Sequence, residues 1–283
     1  MKIPKNLEPL LRDGIIDEII RPLMSGKEAA VYVVRCGKEI RCAKVYKEAK
    51  NRSFHQLSQY QEGRKVRNSR RARAMEKHSR YGRQEQESSW QNAEVEALYR
   101  LAAAGVRVPK LYGYVDGVLL MELIADANGD AAPRLNDLEL TAEQAREYHQ
   151  FLIGEVVRML CAGLVHGDLS EYNVLVDSNG PVIIDLPQAV DAAGNNNAFT
   201  ILERDVANLA AYFGRSAPEL LPTQFAKEMW ELYENGRLYP KTKLTGHVEQ
   251  NEKQADVNEL MRNIDDVREE AIRRRERRDE QSE

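Results

Sequence analysis

A chain of 283 residues, 42% hydrophobic and 30% charged, has apolar material enough for one two-lobed domain or two small ones. Its net charge of -4 argues against a globally basic nucleic-acid binder, and its three cysteines, Cys36, Cys42 and Cys161, show no CxxC spacing that would point to a metal site or disulfide framework. No apolar run reaches membrane-spanning length and the first residues lack the apolar core of a signal peptide, so a soluble cytoplasmic protein without membrane contact is expected.

Residues 15–45 read as a meander of strands: Ile19-Ile20, Val31-Tyr32-Val33-Val34 and Ile40 to Tyr46, with turns at Ser25-Gly26-Lys27 and Cys36-Gly37-Lys38. From about 48 to 86 arginine and lysine crowd a stretch poor in large apolar residues, which predicts a mobile insertion. Trp90, Val95, Leu98 and Leu101 then share a helical face that Gly105 ends. A strand region is expected from Val106 to Pro109, and a buried strand at Val118-Leu119-Leu120-Met121. The polar connector after Glu122-Leu123-Ile124, with Asn128, Gly129 and Pro133, is the expected lobe boundary. It divides an N-lobe of residues 1–124 from a C-lobe of 125–252, and a charged helix or tail at 253–283 follows.

In the second half, Thr141 and Gln144 form a capping-box pattern that opens a helix carrying Leu152, Val156, Met159 and Leu160. That helix delivers the chain to His166-Gly167-Asp168-Leu169-Ser170-Glu171-Tyr172-Asn173. Strands are expected at Val174-Leu175-Val176 and Val182-Ile183-Ile184, and helices at about 199–213, 216–236 and 253–279.

The chemistry sits in the spacing of Asp168, Asn173 and Asp185: the asparagine comes five positions after the first aspartate, and the second aspartate twelve positions after the asparagine. Phosphoryl transfer from ATP uses one carboxylate toward the acceptor hydroxyl, and an amide oxygen with a second carboxylate to hold Mg²⁺ on the phosphates. Mg²⁺ is a hard cation that takes oxygen ligands, so Asn173 and Asp185 suit it, with Mn²⁺ as an alternative. Asp168 is then the acceptor-side carboxylate, and His166 is expected to hold the loop rather than act as a base. Lys44, among apolar strand residues, needs an anionic partner to be tolerable there, and Glu94 in the Trp90–Leu101 helix is the best candidate. Ser25 and Lys27 lie in a small-residue turn that lets backbone N–H groups approach phosphates. Met121, Glu122 and Ile124 would flank the base of the nucleotide.

Taken together, Ser-Gly-Lys-Glu-Ala, Ala-Lys-Val-Tyr, Trp-x-x-x-Glu, Ala-Gly-Val-x-Val-Pro, His-Gly-Asp-Leu-Ser-Glu-Tyr-Asn and Ile-Ile-Asp resemble the RIO atypical serine/threonine protein kinases over about residues 15–235. They look closer to the first RIO subfamily, while Asp185-Leu186-Pro187-Gln188-Ala189-Val190 and the short length look like a bacterial branch. The resemblance implies an α+β, two-lobed protein-kinase-like fold with a small β-sheet N-lobe and a mainly helical C-lobe lacking the usual activation and substrate-binding segments. It implies an ATP- and Mg²⁺-dependent kinase, including autophosphorylation, or an ATPase. Ser25 and Lys27 would lie in the phosphate loop, Lys44 on the phosphates with Glu94 as its brace, Asp168 as catalytic aspartate, and Asn173 and Asp185 on the metal. The resemblance also implies, as in some RIO proteins, an aspartyl-phosphate on the metal-binding aspartate, which here would be Asp185. Two other readings stand beside it. One is a small-molecule kinase of the aminoglycoside or choline type, whose loop is similar. The other is a nucleotide-gated assembly factor that contacts a ribosomal subunit or RNA through the basic 64–83 stretch.

Overall fold

The computed structural model describes residues 4–26, 29–47 and 93–248. Lys27, the basic 64–83 stretch, the start of the Trp90 helix and the tail from 253 lie outside the described residues.

The meander forms as its alternation requires. β1 (Glu18–Ser25), β2 (Ala29–Cys36) and β3 (Glu39–Tyr46) pair antiparallel, and β4 (Leu111–Val115) and β5 (Val118–Glu122) complete a five-stranded sheet in the order β1-β2-β3-β5-β4. Successive side chains of a strand point to opposite faces. Ala43 and Val45 of β3, with Val118 and Leu120 of β5, therefore face one way, into a cluster with Leu7, Leu10 and Ile16. Cys42, Lys44 and Tyr46, with Met121, face the other way, onto a cleft. The cover on the outer face is a short helix, α1 (Glu8–Arg12), and the turn after it.

Helix α2, covering 93–103, packs Ala97, Leu98 and Leu101 into the main core with Leu119, joining the sheet to the helical lobe. Residues 106–109, expected as strand, are not one. The N–H groups of Val106 and Arg107 are taken by Leu101 O and by the Glu155 carboxylate, and Pro109 has no N–H to give a ladder. The capping box forms on both sides: Gln144 N donates to Thr141 Oγ1 at 3.2 Å, and Thr141 N donates to Gln144 Oε1 at 3.1 Å. It opens α3 (Ala142–Cys161), whose Leu152, Val156, Met159 and Leu160 are buried. α4 (Ala198–Phe213) packs against α3 and β6 (Leu164–Val165). The helix expected over 216–236 is divided, because Pro222 interrupts it: a 3₁₀ turn at Pro218–Leu220 precedes α5 (Phe225–Glu234).

Two small two-stranded sheets carry the loop motif. β6 pairs with β9 (Val190–Asp191), and β7 (Val174–Asp177) pairs with β8 (Gly180–Ile183). Only the turns around β9 separate Asp185 from Ala198 at the start of α4, so no long activation segment intervenes. The result is an α+β, two-lobed fold with a β-sheet N-lobe and a helical C-lobe.

Candidate active site

The cleft between sheet and helical lobe has a volume of about 750 Å³, within the range of small-ligand sites. Lys44, Glu94, Met121, Glu122, Ile124, Asp168, Asn173 and Asp185 all line it. Lys27 lies outside the described residues. Ser25 sits between two lining residues, Met24 and Gly26, and its own hydroxyl accepts from Lys47 Nζ at 2.9 Å.

Lys44 reaches the cleft because β3 register sets it opposite Val31 and Leu119, on the inward face. Its ammonium donates to Glu94 Oε1 at 2.7 Å, to Glu94 Oε2 at 3.0 Å and to Asp185 Oδ1 at 2.7 Å. Burial alone would discharge this lysine, but the two carboxylates outweigh it and hold the group firmly protonated. Glu94 also accepts from the Tyr46 hydroxyl, whose ionisation is suppressed first by burial and then by that carboxylate. Asp185 would be raised by burial, yet the Lys44 charge and hydrogen bond bring its carboxyl below the usual range. Its backbone is left-handed, with φ of 65°, a conformation rare for a non-glycine residue and frequent where function imposes it.

The β7–β8 hairpin sets the other groups. Val174 pairs with Ile183, and Ile184 N donates to Asn173 O at 3.0 Å, so Asn173 and Asp185 leave adjacent strand ends on the same side as Asp168. Asn173 Nδ2 donates to Asp168 O at 2.8 Å and to Asp168 Oδ2 at 3.2 Å. The Asp168 carboxyl is raised, chiefly by burial and further by Asp185, while Asn173 opposes the shift. His166 is buried, with Nε2 at 3.1 Å from Ile184 O and Nδ1 accepting from Asp168 N at 3.2 Å. Burial pushes its imidazole down to about 4, so it is neutral and ties loop to hairpin. Glu122 is engaged at both ends: its N–H donates to Lys110 O at 2.8 Å, and its carboxylate accepts Lys110 N at 3.0 Å.

Several contributors were not anticipated. Asp205, buried in α4, accepts from Gly167 N at 2.8 Å and Leu169 N at 3.2 Å, on both sides of Asp168. Burial pushes its carboxyl up, to about 7, against those two N–H groups and the nearby Arg204. Arg204 donates to Gly167 O, and Asn208 Nδ2 donates to Leu169 O at 3.1 Å. The available signal was an acid amid the apolar stripe of Leu202, Val206 and Leu209. For Tyr46 it was its position two residues beyond Lys44, on the same strand face.

A family model described as "RIO domain" matches residues 30–226. The chain belongs to the RIO kinase family. Three relatives are similar to this RIO chain over about three quarters of its length. It is 33% identical over 211 residues to the RIO-type serine/threonine-protein kinase Rio1 of Haloferax volcanii, covering 74% of this chain and 68% of that one. It is 33% identical over 208 residues to the Rio1 of Methanocaldococcus jannaschii, covering 73% and 66%. With the human serine/threonine-protein kinase RIO1 it shares 31% identity over 208 residues, covering 73% of this chain and 35% of the human one. The RIO chain thus spans about a third of the human relative's length. Among the described residues no helix is long and apolar enough to cross a membrane.

Proposed function

We propose that this RIO chain is an ATP-dependent protein serine kinase that also phosphorylates itself, with ATP bound in the cleft by a divalent cation, Mg²⁺ or Mn²⁺. The observation that carries the reading is Lys44 shared between Glu94 and Asp185, beside the Asp168–Asn173 pair, in one cleft.

The donor set fits a hard cation. Asn173 uses its Nδ2 on Asp168, which leaves its amide oxygen for an ion, and Asp185 has a second oxygen beyond the one that Lys44 holds. Among the described residues no three His, Cys, Asp or Glu side chains cluster as a cage. Two protein oxygens completed by phosphates and water is the usual manner of Mg²⁺ binding. The bound ion would neutralise developing charge on the phosphates.

The residues then divide the work. Lys44, kept cationic and aimed by Glu94, pairs with the phosphates. Asp168 accepts the hydrogen of the incoming serine hydroxyl as its oxygen bonds to the γ-phosphorus and the bond to ADP breaks. Its raised affinity for a proton suits that exchange. Asp205 and His166 hold the loop so that Asp168 needs little reorganisation. Met121 and Ile124 border the adenine end.

The finer alternative is that Asp185 itself takes the phosphoryl group, its carboxylate oxygen bonding to the γ-phosphorus as ADP leaves, with water later releasing phosphate. Incubation of the purified chain with γ-labelled ATP and a cell lysate distinguishes these outcomes. Acid-stable label on serine supports the kinase reading. Acid-stable label absent, with hydroxylamine-sensitive label on Asp185 and free phosphate accumulating, supports the ATPase route. Label on a small molecule, or none anywhere, overturns the proposal.

A further inference from the structure

Arg134 belongs to the connector between the lobes. Its chain is fixed on both sides: Pro133 O accepts Val176 N at 2.9 Å, Arg134 forms a backbone bridge to Leu175, and Leu135 is fully buried. The side chain lines the cleft and crosses it, with Nη2 2.7 Å from Met24 Sδ on β1, two residues before Gly26. A thioether is a weak, uncharged acceptor and leaves a guanidinium un-neutralised.

This sets Arg134 apart from the other buried or cleft cations. Lys44 gives all three of its N–H groups to two carboxylates. Arg107 and Arg158 pair with Asp177 and Glu155. Arg134 has no carboxylate at ion-pair distance among the described residues, yet its charge is felt at Asp185, as the smallest of the effects there after burial, Lys44 and His166. A cation that faces a cleft and is paired only with sulfur lacks an anion. The flat guanidinium fork matches phosphate oxygens two at a time.

We propose that Arg134 is a phosphate-binding residue of this cleft. On ATP binding its guanidinium leaves the Met24 sulfur and pairs with the polyphosphate from the connector side. The inference rests on the ATP reading above and assigns that site a second phosphate-binding cation beside Lys44.

The test is calorimetric titration of the full-length chain and its Arg134→Met and Arg134→Lys variants with Mg·ATP and with adenosine. Loss of a charge-assisted contact predicts an ATP affinity about 10- to 100-fold weaker in Arg134→Met, with adenosine affinity unchanged and an intermediate loss in Arg134→Lys. Unchanged ATP affinity in Arg134→Met overturns the assignment, and so does an equal loss for ATP and adenosine, which would mark a purely structural residue. Where Arg134→Met does not fold, the ratio of ATP to adenosine affinity in Arg134→Lys carries the test: a reduced ratio supports the assignment and an unchanged one overturns it. Wild-type protein that binds neither ATP nor adenosine overturns the nucleotide reading itself, and this inference with it.

Discussion

Replacing Glu94 with glutamine tests the centre of the site, because the change keeps shape and removes charge. In the native cleft the Glu94 side chain is 3% exposed and that of Lys44 11%, so solvent screens their attraction little. Removing one partner of a buried pair costs about 3–5 kcal/mol when the other charge is left alone. Here Lys44 keeps Asp185 at 2.7 Å, and the Tyr46 hydroxyl can still donate to the glutamine oxygen. The expected cost therefore falls to about 2–3 kcal/mol, which lowers the melting temperature of a domain this size by about 5–10 °C. Urea unfolding of wild type, Glu94→Gln, Lys44→Met and the double variant measures both the cost and the coupling, which should exceed about 1 kcal/mol for groups in contact. The same variant should bind Mg·ATP more weakly, since Lys44, freed of Glu94, settles wholly on Asp185. A Glu94→Gln stability within about 0.5 kcal/mol of wild type, the scatter of an inert surface change, together with zero coupling, would refute this account of the cluster.

The remaining predictions concern the loop, its supports and one buried histidine. Asp185→Asn should abolish ATP hydrolysis, measured as phosphate release, whereas Asp168→Asn should lower phosphoryl transfer while the dissociation constant for ATP stays close to wild type. Asp205→Asn leaves one of two backbone N–H groups without an acceptor. It should cost about 1–3 kcal/mol by urea unfolding and reduce turnover with little change in ATP affinity. His149, buried between Phe213 and Phe225 with no hydrogen-bond partner at Nε2 among the described residues, is pushed down by burial to about 4. The unfolded chain takes up a proton near the ordinary value of 6.5 and the folded one does not, so stability present above that pH is lost as pH falls toward 4, by about 2 kcal/mol at pH 5. Asp205, raised to about 7, titrates in the same window with the opposite sign, so the quantity to measure is the wild-type minus His149→Leu difference in unfolding free energy between pH 7 and pH 5.

Much of the site was legible because spacing and strand periodicity determine it. Asp168, Asn173 and Asp185 flank short apolar strands whose pairing needs only a tight turn, and Lys44 declares itself as a charge on an apolar strand. Its partner Glu94 lies fifty residues away, beyond the basic stretch, and was reachable only through helix position. Less legible were groups whose role depends on tertiary neighbours. Asp205 reads as one acid in an amphipathic helix until the loop backbone lies against it. Leu7, Leu10 and Ile16 carry too short a pattern to announce that they cover the outer face of the sheet. Val106 to Pro109 look β-prone, but strand propensity yields where a helix end and a glutamate capture the N–H groups first.

The position of Lys44 between two acids has an electrical consequence. Without nucleotide, the cleft carries its own internal counter-ion: the ammonium stands between the buried Glu94 and the more exposed Asp185 and offsets the repulsion of the two anions. A divalent ion reaching Asp185 meets a carboxylate already occupied on one side, so it competes poorly when it arrives alone. On the proposed ATP reading, the phosphates would offer the ammonium a new berth and free Asp185 to hold the ion. Metal and nucleotide should therefore bind as one event, each strengthening the other.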